Sequence, residues 1–488
     1  KWEKVVARGQ RDVHFILLEI LRFARMMPKE FIAFLRKHRE EAFCTIPRPD
    51  GGLHHCGILG WQKFSSLVDR VVGLEPMLAG RIEPGQVKEA VIDAFVQRIL
   101  KERRELDLGT SEQILQDAAK KSKESLQDTE HYLPCVLFVN GGPDEFSIGP
   151  VTFVRRVKFF RDRKQALRQS IIKNEAAHIK HVNDAVEHGF PRERAAAPEQ
   201  SRKLVRSLQA GAIKTYRGYP WVACVRIINC DGETSERLAA NAVETALHVI
   251  RIFLGAAHTK KVRLAWSRSD ALRTAGLWSD SSGMIHSQIG WQPMGPVGFV
   301  NWHDGLIQHG DYVLKVFSSA LVPLADPKET SQLHARFIDA IHWFGDAATD
   351  TQPTASVVKY VSSIERLLFG EYEQGRRKLF ASRVEKILKA FNCDDSGHVY
   401  ENALKVYVVR SKLLHGTSSP RDMEARKLVV VAEELARLCL LCAAQLYPMV
   451  KCVHKDLEPK KLEGVMKEIE HKGLEPLARK AGWSRTSR

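Results

Sequence analysis

Val406-Tyr407-Val408-Val409-Arg410-Ser411-Lys412-Leu413-Leu414-His415-Gly416 is the stretch on which the reading of this chain turns. Ala403, Tyr407, Arg410 and Leu414 recur at spacings of three and four, which places them on one face of a helix. A guanidinium on an otherwise apolar face is costly to bury unless an anion meets it. Gly416 marks the end of the helix, because glycine is the usual residue just past a helix C-terminus. His415 stands at that end. A fixed cation and a titratable imidazole at one helix end are a minimal kit for phosphate chemistry.

Outward from this helix, strand signals are missing from Pro327 onward. Apolar periodicity predicts helices over 329–347 (Phe337, Ile341, Phe344), 355–369 (Val358, Val361, Leu368) and 376–391 (Leu379, Phe380, Val384, Ile387). A long fifth helix to Tyr447 starts at Ser419, Pro420 and Asp422, which supply its cap, first position and third position. Glu365 falls on the apolar face of the second of these helices. It either meets a buried cation, with Arg410 the obvious partner, or reaches solvent at the edge of the stripe. Arg383 lies beside the stripe of the third, as a second phosphate contact or a snorkelling surface residue. Residues 455–488 are charged and low in large apolar residues, which predicts a peripheral extension.

An Arg followed by a His five or six residues on also occurs at Arg8/His14, Arg48/His54 and Arg336/His342, and seven residues on at Arg251/His258. Only the Arg410 copy closes a helix in an all-helical segment. In that context Arg410-Ser411-Lys412-Leu413-Leu414-His415-Gly416 resembles the motif of the HEPN superfamily, whose ribonucleases need no metal, and looks most like its Apea-like branch from bacterial antiviral proteins. The resemblance covers about residues 327–450, a quarter of the chain. It implies an all-α bundle with Arg410 and His415 catalytic, an acidic residue (Glu365) near them, no cofactor, and a homodimer that brings two motifs together. Ser411 stands where Asn, Asp or His often follows the Arg. An antiviral, abortive-infection or toxin-like effector in the cytoplasm, answering to a viral trigger protein, is the role implied.

The chemistry expected of such a pair starts from RNA's own nucleophile, the 2′-hydroxyl. His415 takes its proton or protonates the leaving 5′-oxygen, Arg410 clamps the phosphoryl oxygens, and Ser411 and Tyr407 are auxiliary hydrogen-bonders. Lys412 joins the RNA contacts. The competing reading is a non-catalytic dimerisation or nucleic-acid-binding module in which Arg410 and His415 only stabilise the helix end.

The 488 residues suggest about three domains, and 74 Lys+Arg against 58 Asp+Glu give a net charge of +16, which favours RNA or DNA as partner. Nine scattered cysteines form no small-domain framework, so a reducing compartment is expected; Cys439 and Cys442 read as small buried hydrophobes. The longest apolar run is broken by Glu433, Glu434 and Arg437, so no membrane span is expected. The chain begins at Lys1 rather than a methionine, which leaves its natural N-terminus open.

The expected fold class is α+β multidomain: a mainly helical region 1–130, an α+β sensor or targeting domain 131–325, the helical bundle 326–454 and the extension 455–488. Cys44, His54, His55 and Cys56 flank a loop but fit no standard zinc finger, so no metal site is expected. Residues 101–128 read as a solvated helix or linker. Strands are expected over 133–139, 146–160, 221–228, 262–266 and 298–302, with a helix over 235–254. No phosphate loop, GxGxxG or HExxH is present, which argues against nucleotide hydrolysis or a zincin. The dense basic run from Arg155 through Arg156 and Lys158 to Arg168 is interleaved with Phe153, Phe159 and Phe160. It either tracks a phosphate backbone and stacks bases or, if its first part is a strand, turns the aromatics into the core.

Overall fold

The computed structural model describes residues 2–37, 44–49, 51–187, 197–265, 273–279, 285–291, 301–307, 311–327, 331–370, 375–393, 397–419, 421–454 and 459–483. These form an α+β fold of many helices and small antiparallel sheets. The chain divides into two compact units, Lys1–Thr129 with Ile227–Leu238, and Glu130–Arg226 with Ala239–Arg488. No described helix is long and apolar enough to cross a membrane.

The first unit contains α1 (Trp2–Ala24), α2 (Pro28–Lys37), the hairpin β1 (Cys44–Pro47) and β2 (Leu53–Cys56), α3 (Ile58–Leu74), α4 (Pro84–Phe95) and α5 (Leu108–Glu124). Ile16, Ile20, Phe64, Val71, Val91, Phe95 and Ile114 form its core. In the hairpin Cys44 pairs with Cys56, and the His55 ring lies 4.6 Å from that of Phe31. The charged segment after residue 101 is not a solvated linker. Asp107 caps α5 by accepting from the Thr110 N–H, and the helix buries Ile114, Leu115, Ala118 and Ala119 between its outward lysines.

Largely in the second unit, β3 (Gln127–Val136), β4 (Glu145–Ile148), β5 (Val151–Arg155), β6 (Trp221–Cys230) and β7 (Arg263–Leu264) form a sheet ordered β4-β5-β6-β3-β7. The extended segment expected over 146–160 is instead a hairpin followed by a helix. The chain reverses at Gly149, whose φ of +59° is open to glycine, and sets Phe146 opposite Phe153. From Arg156 it winds into α6 (Arg156–Asp162), then α7 (Lys164–Glu187) and α8 (Pro198–Tyr216). After β6 come α9 (Gly232–Leu254), α10 (Ala256–Thr259), the separate hairpin β8 (Arg273–Ser279) and β9 (Ile285–Trp291), α11 (Trp302–Ile307) and α12 (Asp311–Ala325). Most of the strand expected over 298–302 lies outside the described residues; Trp302 itself opens α11 and packs on Phe138.

The remaining helices are α13 (Gln332–Thr349), α14 (Pro353–Leu368), α15 (Arg376–Ala390), α16 (Val399–Leu414), α17 (Met423–Val453), α18 (Pro459–Lys472) and α19 (Glu475–Lys480). Helix α14 packs against α13, α16 and α17, burying Val357, Tyr360, Val361, Ile364 and Leu367. Helix α16 docks through Ala403, Val406 and Tyr407. Leu414, expected on that buried face, is 54% exposed, because the last turn runs past its neighbours. The C-terminal residues are no loose extension either. Leu462, Val465, Met466 and Ile469 of α18 and Leu477 of α19 are buried, with α18 packed on α15.

Candidate active site

Glu365 sits one turn before the end of α14, flanked by the buried Ile364, Leu367 and Leu368, with 11% of its side chain exposed. A carboxylate so placed requires positive charge. Arg410 of α16 donates from Nη2 to Glu365 Oε2 at 2.8 Å. Arg376, the first residue of α15, brings its Nε to 3.1 Å from Oε1, and the Tyr407 hydroxyl donates to the same oxygen at 3.4 Å. Three helices thus converge on one carboxylate. Of the two positions open to Glu365, it takes the cation.

Both guanidiniums lie near aromatic rings: Arg410 is 5.5 Å from the Tyr407 centroid and Arg376 is 4.9 Å from that of Phe369. Burial, then the negative charge of Glu365, pushes the Tyr407 phenol above its ordinary value. The Arg410 Nε is buried without a hydrogen-bond partner. A buried orphan donor is unfavourable until an acceptor reaches it, and a phosphoryl oxygen is such an acceptor.

Arg376 was not anticipated. Its signal is legible in Gly375-Arg376-Arg377-Lys378, because cations at a helix N-terminus oppose the helix dipole and need another reason to be there.

His415 lies elsewhere. It is exposed at the C-cap of α16, where its N–H donates to the Ser411 carbonyl at 3.0 Å, and its imidazole makes no hydrogen bond among the described residues. Five residues of helix advance about 140° beyond a full turn, which sets the two side chains apart around α16. Gly416, with φ of +70°, and the Lys412 carbonyl, which accepts from the Thr417 and Ser418 N–H groups, close the helix end. Lys412 is exposed and Ser411 half-buried beside it.

A cleft of about 310 Å³ adjoins Glu365, lined by Arg336, Arg366, Arg376, Trp343 and Phe369 among others. Arg336 is buried and donates to the Phe369 carbonyl; burial lowers its pKa, and the neighbouring Arg366 adds to the effect. Arg366 pairs with Asp339 at 2.6 Å, and Trp343 is 42% exposed. The cleft is a cationic hollow with an accessible aromatic ring.

The other proposed RNA contacts are placed differently. Arg383 is a correction: its side chain is fully buried, donating to Glu463, Glu470 and the Leu368 carbonyl, so it joins α15 to α18 and faces no ligand. Burial alone lowers its pKa, but the two carboxylates more than offset that and hold it above the ordinary arginine value. Arg155 donates to the Phe138, Val139 and Gly141 carbonyls and lies 4.2 Å over the Trp221 ring, fastening a loop to the sheet. Lys158 pairs with Glu145 and Asp162, and Arg156 donates to the Arg217 carbonyl. Phe153 and Phe159 are core residues.

No family model matches the chain, and neither a curated protein nor a solved structure matches it.

Proposed function

We propose that the chain is a metal-independent endoribonuclease of the HEPN kind, cleaving RNA by attack of the 2′-hydroxyl on the adjacent phosphate. The observation that carries this is the three-helix junction at Glu365. It fixes Arg410 through one Nη, and Glu365 and Arg376 of the same junction line a cleft that Arg336 and Arg366 also line. A phosphate entering there meets a preorganised cation as charge develops in the transition state. His415, exposed and unengaged on the same helix, is the proton-transfer group. Because one histidine cannot readily serve as acid and base at once, the reading requires a homodimer that brings two Arg410/His415 motifs to one cleft. The products are a 2′,3′-cyclic phosphate and a 5′-hydroxyl. An antiviral or toxin-like role is part of the same proposal.

One observation favours the second reading, a non-catalytic binding or dimerisation module. The Arg410–Glu365 pair also serves as a clamp between α14 and α16, and it needs no chemistry to account for it.

A uniformly labelled RNA carrying deoxyribose at one position separates them. The ribonuclease cuts it in EDTA at ribose positions and never at the 3′-phosphate of the deoxyribose. The binding module retains it uncut.

A further inference from the structure

Helices α7 and α8 pack side by side, yet of their 24 and 19 residues only Glu175, Ser201 and Val205 are buried. Their apolar side chains stay on the surface: Ile172 is 68% exposed and Leu208 65%, and Val157 of α6 is 70% exposed. Apolar residues scattered singly on a surface are ordinary, but Val157 lines a groove of about 710 Å³ between α6, α7 and α8. Its apolar lining includes Leu167 and Ile171, one turn apart on α7, and Ile213 of α8. Arg156, Lys164, Arg168 and Arg217 also line it, and no carboxylate does.

Elsewhere in this basic segment the cations are neutralised. Lys158 meets Glu145 and Asp162, Arg161 meets Asp162 and Arg163 meets Glu130. The four groove cations have no carboxylate partner among the described residues. Apolar residues along the groove with unneutralised cations beside them suit an occupant that is apolar on one face and acidic on its flanks.

We propose that this groove is a docking site for an acidic amphipathic helix of a partner protein, which completes a three-helix layer with α7 and α8. The seam Leu167–Ile171 and Ile213 receives its leucine-type anchors, as in helix-in-groove recognition, and the four cations set its sign. A second copy of this face is excluded by its own charge, since a two-fold contact places like cations together. RNA is disfavoured by the lining, where Phe160, packed edge-on against Phe159 and Tyr216, is the one aromatic beside the aliphatic Val157, Leu167, Ile171 and Ile213, whereas a single-strand groove offers successive stacking faces. The groove is separate from the Glu365 site, so the proposal stands apart from the ribonuclease reading.

The test uses the full chain and fluorescence anisotropy of a labelled helical peptide of about five turns, with leucines at heptad spacing and glutamates elsewhere. A peptide of the same pattern with lysines for glutamates is the control. The acidic peptide is expected to bind in the micromolar range and the basic one not at all. Lys164→Glu/Arg168→Glu, which changes only exposed side chains, is expected to weaken the acidic peptide more than tenfold with an unchanged circular dichroism spectrum. Ile213→Ser is expected to weaken it without altering the salt dependence. Equal binding of both peptides, no binding by ~100 μM (a free energy weaker than about −5.5 kcal/mol), or affinity indifferent to the double variant overturns the proposal. So does tighter binding of a uridine 12-mer or of phosphatidylglycerol vesicles that the double variant abolishes.

Discussion

Replacing Arg383 by methionine tests whether the C-terminal helices belong to the folded core. The guanidinium is fully buried, and the variant removes its bonds to Glu463, Glu470 and the Leu368 carbonyl at once. Glu470 is 14% exposed and can turn toward water, but Glu463 is 7% exposed and stays behind as a buried carboxylate that has lost its arginine and keeps the Gly370 N–H. Removing one partner of a buried pair costs ~3–5 kcal/mol. At roughly 1–2 °C per kcal/mol for a unit of about 350 residues, the thermal transition falls by roughly 3–10 °C. Scanning calorimetry reads the shift, and limited proteolysis reports whether α18 is released first. Arg383→Met/Glu463→Leu is expected to recover most of the loss, because an apolar pair of similar volume replaces a buried ion pair at little cost. A variant that melts like the parent but binds RNA more weakly refutes the structural assignment and returns Arg383 to the phosphate contacts.

Three further outcomes follow from the geometry. Gly345→Ala drives a methyl into the wholly buried His248 ring, which Arg251 holds at 2.7 Å, so overpacking lowers the stability by about 1–3 kcal/mol and the urea midpoint falls with it; an unchanged midpoint contradicts that contact. Burial raises the Glu463 carboxyl, but the Arg383 hydrogen bond prevails and holds it below its ordinary 4.5; this stability is complete above that pH and is lost as pH falls through the depressed value. Glu463→Gln should therefore flatten the acid side of the stability profile below about pH 4.5, and a profile parallel to the parent's contradicts the linkage. Glu365→Gln removes the negative charge that, after burial, raises the Tyr407 phenol, so the difference spectrum against Glu365→Gln/Tyr407→Phe should show that phenol titrating at lower pH than in the parent.

The bundle helices were legible because their apolar residues repeat at helical spacing over long stretches, as in α13 through α17. So were Glu365 and Arg410, since a charge on an apolar stripe announces a partner. What periodicity missed was set by neighbours distant in sequence. Arg383 looks like a surface cation until α18 supplies Glu463 some 80 residues later. The segment from Phe146 carries β-branched and aromatic residues that suit one long strand, yet the turn at Gly149 splits it into a hairpin and Arg156 begins a helix. Ala118 and Ala119 drive α5 into the first core, but small side chains among lysines give a weak signal. His415 is legible as the residue that ends α16, because Gly416 follows it.

The central claim is that Arg410 and His415 cut RNA, and the rate of RNA cleavage in EDTA by the parent and by His415→Ala tests it most directly. The imidazole is exposed and makes no hydrogen bond among the described residues, so the variant should fold and melt like the parent. Its cleavage rate should fall by ~10²–10⁴-fold, the usual worth of a positioned acid–base group. Mixing it with Arg410→Ala should restore part of the rate through dimers that hold one intact pair. Undiminished cleavage by His415→Ala, or cleavage by the parent that stops with the chelator, contradicts the account.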